Sequence, residues 1–324
     1  MERKYSIDLL RVISAIAVII IHIVSAPVVN SPIEVDAALK TNLGLVHTLM
    51  NWSVPVFFMM TGFCLMKKKE CTYKYCFAHV VKYVCVLFTV GLFYAFLEEV
   101  FIAKTVSIPI LIRSALNVVS GNLWDHMWFV YTIIGIYMVM PIIHRFMHHE
   151  RQDSIILTIL LFLFNIVFPT LEKWISIGVV LPFGGYLFYV CYGGILASVE
   201  VDKKTSHFLY LTGVLSVVWI ILDPDRLEFG YKHLSVCLMA MSIFLLLSRM
   251  HMKESKFLLC VSQCTWGIYL IHPFFINIAI KLLDLDLITH QPFMKLSVFG
   301  IIIFLVSLAA TYILRKIPIL KKLF

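Results

Sequence analysis

Charge is scarce in this chain: Asp, Glu, Lys and Arg make up 14% of its 324 residues, against 61% hydrophobic residues and a mean hydropathy of +0.93. A soluble domain does not have that balance, so the expected class is a polytopic membrane protein. Metal-binding patterns are missing as well. The eight cysteines form no CxxC pair and no metal-ligand spacing, and there is no HEXXH set. No metal is implied, and the thiols read as buried side chains rather than a disulfide frame or a zinc site. No cleavable signal-peptide pattern opens the chain, because the first apolar run is too long and no small-residue cleavage site precedes a soluble region. Neither an internal repeat nor a low-complexity linker divides the sequence, which gives a single membrane domain over residues 1–324. The net charge of +8 comes from Lys and Arg in short clusters between apolar runs. That placement reads as membrane topology, and no nucleic-acid partner is expected.

What is present is a series of apolar runs. Ten candidate spans fall at about 7–28, 43–66, 77–100, 127–147, 154–171, 178–199, 206–222, 232–249, 263–283 and 294–314. The basic residues alternate across them. Arg3 and Lys4 precede the first span, and Lys67, Lys68, Lys69 and Lys74 follow the second; Arg145, Arg151, Lys203, Lys204 and Arg249 continue the pattern to Lys321 and Lys322. The opposite loops carry acids such as Glu34, Asp36, Asp223, Asp225 and Asp286. Positive charge stays inside, so both termini are expected in the cytoplasm, with the chain multi-pass in the cytoplasmic (inner) membrane. The expected fold is an all-α bundle of about ten transmembrane helices. Val106 to Val119 is apolar but too short to span, and reads as a re-entrant or surface helix roofing the bundle.

The first span is unusual in holding Asp8, Arg11 and His22. Ionisable side chains within a membrane helix are costly and persist mainly where they face the protein interior. At 100° per residue Asp8 and Arg11 lie one turn apart, and Arg11 to His22 is three turns to within about 20°. All three project from one stripe, with the imidazole about 16 Å beyond the guanidinium. An ion pair at one end and a titratable base deep in the membrane make this stripe the leading candidate for a reaction site. Bland alternatives stand beside it: a neutral histidine hydrogen-bonded across helices, and a structural Asp8–Arg11 pair at the boundary.

Four segments carry a family resemblance. They are SIDLLRVISAIAVIIIHI (Ser6 to Ile23), SVPVFFMMTGFCL (Ser53 to Leu65), HMWFVYTIIGIYMVMPII (His126 to Ile143) and WGIYLIHPFF (Trp266 to Phe275). In this order they resemble the acyltransferase 3 family of membrane-bound acyltransferases. The first matches that family's helix in which an Arg or Lys and a His are separated by ten residues, as Arg11 and His22 are here. The second is similar to VPLFFMISGFLL, the third to a span starting HLWFL, and the last to GIYLIHPF. The resemblance covers essentially the whole chain and is to the short, stand-alone form. It implies transfer of an acyl group, usually acetyl, from a cytoplasmic acyl-CoA to a hydroxyl of an outward-facing or lipid-linked sugar. Acetyl-CoA or another acyl-CoA would be the donor, no cofactor would be permanently bound, and membrane lipids would surround the chain.

The residues agree with such chemistry. A thioester is already activated, so the obstacle is deprotonating an alcohol, and an imidazole with an ordinary pKa of roughly 6.5 suits that task. His22 is therefore the expected general base, or a nucleophile that carries the acyl group briefly. Arg11, with Asp8, would clamp the CoA portion or fix the helix. Lys67, Lys68 and Lys69 offer a basic rim for the CoA phosphates, although some relatives carry paired arginines in that loop and lysine lacks the bidentate fork. A plain topology signal explains the same three lysines. His126, Trp128 and Tyr131 at the mouth of the fourth span suit a sugar acceptor, or for Trp128 an interfacial belt. His272, beside Pro273, would orient substrate or His22, or is a structural histidine at a kink. A multipass transporter of a lipid-linked or small organic substrate is the rival reading, and a multipass sensor or scaffold a third.

Overall fold

The computed structural model describes residues 4–30, 35–171, 185–223, 229–318 and 320–324, the side chains of residues 28–30 excepted. Arg3, Glu34 and Asp225 lie outside the described residues, as does the first part of the expected span 178–199. Among the described residues there are fourteen α-helices and no strand. They are α1 (Tyr5–Asn30), α2 (Ala37–Met50), α3 (Ser53–Met66), α4 (Tyr73–Val86), α5 (Leu92–Ala103), α6 (Ile108–Ser120) and α7 (Trp128–His149). Then follow α8 (Arg151–Phe162), α9 (Phe168–Leu171), α10 (Leu187–Ser198), α11 (Lys203–Leu222), α12 (Leu234–Ser248), α13 (Lys256–Asn277) and α14 (Pro292–Leu314).

Hydrocarbon leaves no water for backbone N–H and C=O groups, so apolar runs of this length close their hydrogen bonds internally as helices. Starts are set by side chains that take up the first free N–H groups. Asp36 accepts from Leu39 N at 3.1 Å, Thr72 from Tyr75 N at 3.2 Å, Asp202 from Thr205 N at 3.0 Å and Ser255 from Leu258 N at 3.2 Å. Among the described residues eight helical stretches are long and apolar enough to cross a membrane, which makes this a multi-pass membrane protein. The span expected at 43–66 is longer, Ala37–Met66, and turns at Asn51–Trp52 between α2 and α3. At two other expected spans the described helices are shorter: α10 has 12 residues and α12 has 15. As its sequence implied, α6 is too short to span, with 13 residues.

Contacts group the chain into two compact units. The first comprises Met1–Lys67, Gln152–Leu314 and Phe324, and the second Lys68–Arg151 and Arg315–Leu323.

In the first unit α1 packs against α2, α3, α12, α13 and α14. Ile19, Ile23, Leu43, Ile268, Ile276, Phe299 and Ile303 form a continuous buried cluster there. Lipid tails are as apolar as leucine, so helix association depends on close packing and hydrogen bonds rather than on water exclusion. The crossing of α3 and α10 shows this. A Cβ at Gly62 would lie 1.9 Å from the Val190 carbonyl oxygen, and one at Gly193 would lie 2.0 Å from that of Met59. Only two glycines let these backbones touch.

Aromatic rings pack the second unit as well. His79 of α4 stacks on Tyr137 of α7 with centroids 4.8 Å apart and planes 22° apart. Tyr94 stacks on Trp124 at 4.3 Å, and Trp124 Nε1 donates to Glu98 at 3.1 Å. Asn117 and Arg113 of α6 donate to Glu99 of α5 at 3.0 and 3.4 Å.

Candidate functional site

Asp8, Arg11 and His22 all lie on α1 as the periodicity implied. Asp8 is buried, with 1% of its surface exposed. Its Oδ1 accepts from Ser262 Oγ of α13 at 2.7 Å and from Arg11 Nη1 at 3.4 Å. The short bond is the strong one, and it ties α1 to α13. Arg11 is held more loosely: its second nitrogen reaches Cys64 Sγ at 3.5 Å, and its side chain remains 35% exposed.

Further along the same helix the His22 ring meets that of His272, with centroids 5.1 Å apart and planes 52° apart. Asp8 is fourteen positions from His22, about 21 Å along the axis, so it is not the carboxylate that orients this imidazole. His272 is completely buried, and its Nδ1 lies 3.0 Å from the Ile268 carbonyl oxygen. A carbonyl only accepts, so that bond places the proton on Nδ1 and leaves Nε2 as the lone-pair nitrogen. Tyr269 adds a ring 6.3 Å from His272. His47, on α2, is close enough to His22 for the two imidazoles to interact electrostatically. Two helices, α1 and α13, thus bring imidazoles into contact in the first unit.

The remaining expected site residues are distributed differently. Lys67 lies in the first unit, its ammonium 4.5 Å from the centroid of the Phe63 ring. Burial, and then the neighbouring Lys4 ammonium, holds Lys67 below the ordinary lysine range. Lys68 and Lys69 belong to the second unit. There Lys68 Nζ sits 4.3 Å over the Tyr75 ring and its carbonyl faces His144 Nε2 at 3.1 Å, while Lys69 is exposed. His126, Trp128 and Tyr131 are also in the second unit. His126 is buried edge-on against Tyr94 at 5.5 Å, and Trp128 packs edge-on to Phe129 at 6.2 Å. The Tyr131 hydroxyl donates to the Val118 carbonyl of α6.

Sequence reasoning missed His47, Ser262 and Cys64. The rule that singled out His22, an ionisable residue in an apolar run, applies equally to His47. Nothing in spacing points to Ser262, which lies 254 positions from Asp8.

The helices define a multi-pass membrane protein. Residues 4–316 match the family described as Acyltransferase domain, acyltransferase 3, and the chain belongs to that family. It is a membrane acyltransferase. No curated protein and no solved structure matches the chain.

Proposed function

We propose that this acyltransferase moves an acyl group, most simply acetyl, from acyl-CoA to a hydroxyl of a cell-surface or lipid-linked sugar, with His22 as general base. One observation carries the reading: the His22 ring contacts an oriented, buried His272 inside the core of an acyltransferase-family chain. The acceptor hydroxyl attacks the thioester carbonyl carbon while His22 takes its proton. The C–O bond forms, the C–S bond breaks, and the proton passes to the departing thiolate. His272 acts as a positioning residue, since its Nδ1–H is committed to Ile268 and its other nitrogen is presented as an acceptor. If His22 instead carries the acyl group, the kinetics become ping-pong.

Arg11 is the proposed donor clamp. Its bond to Asp8 is long at 3.4 Å and its other partner is a thiol, a weak acceptor, which leaves a planar cation ready for a better anionic partner. Lys67, Lys68 and Lys69 supply positive charge for the donor phosphates, and Asp8 fixes α1 through Ser262. His126, Trp128 and Tyr131 form the proposed acceptor side. Both units serve a single acyltransferase domain, which the family match across 4–316 supports. Ten spans with both termini in the cytoplasm, in the inner membrane, remain the topology favoured by the distribution of Lys and Arg.

Purified full-length protein in a detergent micelle, given acetyl-CoA and candidate glycan acceptors, is expected to release free CoA in an acceptor-dependent manner. Absence of release with every hydroxylated acceptor, while acetyl-CoA still binds, would overturn the transfer chemistry.

A further inference from the structure

The charged cavity of the first unit has no place in the chemistry so far. It has a volume of about 550 Å³, within the range of small-ligand sites. Lys4, Phe63, Ser198, Glu200, Ser248 and Arg249 contribute to its wall. Lys67 adjoins it, because Lys4 and Lys67 share the Phe63 ring at 5.5 and 4.5 Å from its centroid. Among the described residues, none of these three cations has a carboxylate within ion-pair distance, and Glu200 is the only acid on the wall.

Ordinary helix electrostatics explains part of this arrangement and fails at one residue. Lys67 caps the C-terminus of α3 and Arg249 that of α12, where the helix dipole favours cations. Lys4 immediately precedes the N-terminus of α1, where the dipole opposes one. It is also close enough to Lys67 for the two ammonium groups to repel. Two like charges over one ring, one of them at the wrong end of a helix, would be stabilised by an anion between them and the Arg249 fork.

We infer that Lys4, Lys67 and Arg249 form a phosphate-binding site in this cavity, for a phosphomonoester or pyrophosphate group. Lysines supply point charges, and Arg249 supplies a planar donor pair suited to phosphate oxygens. Arg249 is prepositioned, since its Nη1 donates to Ser206 Oγ at 2.9 Å. Two sources offer this chemistry: the phosphate end of an acyl-CoA donor, or the headgroup of an anionic lipid. The first source rests on the donor assigned under Proposed function.

The test uses the full chain in phosphatidylcholine nanodiscs, titrated calorimetrically with coenzyme A and with its 3′-dephospho form. A Lys4→Gln/Arg249→Gln double variant is expected to raise the Kd for coenzyme A about tenfold or more and to flatten its salt dependence. Ser206→Ala, which removes the hydrogen bond that prepositions Arg249 and keeps its charge, should weaken binding less than the double variant does. Arg249→Lys should retain an intermediate affinity. Equal Kd values for the double variant and the unmodified chain would overturn the site, whatever His22 proves to do. If the unmodified chain ignores coenzyme A, thermal stability is compared in discs with and without phosphatidylglycerol. Stabilisation of the unmodified chain and not of the double variant keeps the phosphate site, assigns it to a lipid headgroup and counts against the acyl-CoA donor. No response to either probe overturns the site.

Discussion

In the first unit, polar side chains on α1 reach side chains on other helices: Asp8 to Ser262, Arg11 to Cys64, and the ring of His22 to that of His272. In the second unit, hydroxyl and indole groups are committed to fixed acceptors, Tyr131 to a backbone carbonyl and Trp124 to Glu98, and the packing between elements is ring on ring. A hydrogen bond to a carbonyl holds one geometry and moves no proton. An imidazole facing another imidazole can give up or take a proton without losing its place. In the proposed reading the first unit supplies the reacting imidazole and the second receives an acceptor, although the second unit holds an imidazole pair of its own, His144 and His148 of α7, with Nε2 atoms 3.1 Å apart.

The largest expected effect follows directly. His22→Ala should lower kcat for acyl transfer by about 10²–10⁴-fold, the usual cost of removing a positioned general base. Membrane abundance should stay nearly constant, as judged by immunoblot of the membrane fraction. His126→Ala, in the second unit, should raise KM for the acceptor and leave kcat nearly intact. If His126→Ala were the more damaging of the two in kcat, the contrast between the units would be reversed and His22 would lose its role.

Next in size is the backbone contact that shapes the first unit. A methyl at Gly62 would meet the Val190 carbonyl and force α3 and α10 apart. Gly62→Ala should therefore cost about 1–3 kcal/mol or more, as overpacking does. A loss of Tm in detergent, measured by the reaction of buried cysteines with a thiol dye during heating, checks it. An unchanged Tm would mean that the two helices do not approach as closely as their glycines allow.

How much of this was legible follows from the range over which each signal acts. The stripe of Asp8, Arg11 and His22 was readable because helical period is a local property, and so were the membrane class and the short helix α6. The partner of His22 was not, since His272 lies 250 positions away and no period connects α1 to α13. For the same reason Arg11 looked like the natural partner of Asp8, yet the shorter bond comes from Ser262. Lys67, Lys68 and Lys69 read as one basic rim, but the chain passes between units after the first of them. A run of like charges records where the chain leaves the membrane, and it does not record which side chains share a cavity. Span lengths went astray where an apolar run contains a turn, as at Asn51–Trp52.

Smaller effects separate a ligand clamp from a structural pair at the Asp8–Arg11 end of the stripe. Arg11→Lys should raise KM for acyl-CoA several-fold with a modest change in kcat, because lysine keeps the charge and loses the fork. If Arg11 serves only to neutralise Asp8, Asp8→Asn combined with Arg11→Gln should be milder than either single change. Steady-state kinetics of the two single variants and the double variant decide. A raised KM without rescue supports the clamp, and rescue with an unchanged KM supports the pair.

The smallest expected effect has the opposite sign and comes from the second unit. Gly135 lies in the interior of α7, its position is exposed, and a Cβ there would meet nothing within 4 Å. Its cost is then purely conformational: glycine loses more backbone freedom in a helix than alanine does, by roughly 0.5–1 kcal/mol. Gly135→Ala should raise Tm slightly, where Gly62→Ala lowers it. The same dye assay on both variants compares one substitution in two surroundings. A fall in Tm for Gly135→Ala would reveal a close neighbour at that face in the membrane, such as a second copy of the chain. A rise would show that the face of α7 at Gly135 is open, where the Gly62 face of α3 is closed by the α10 backbone.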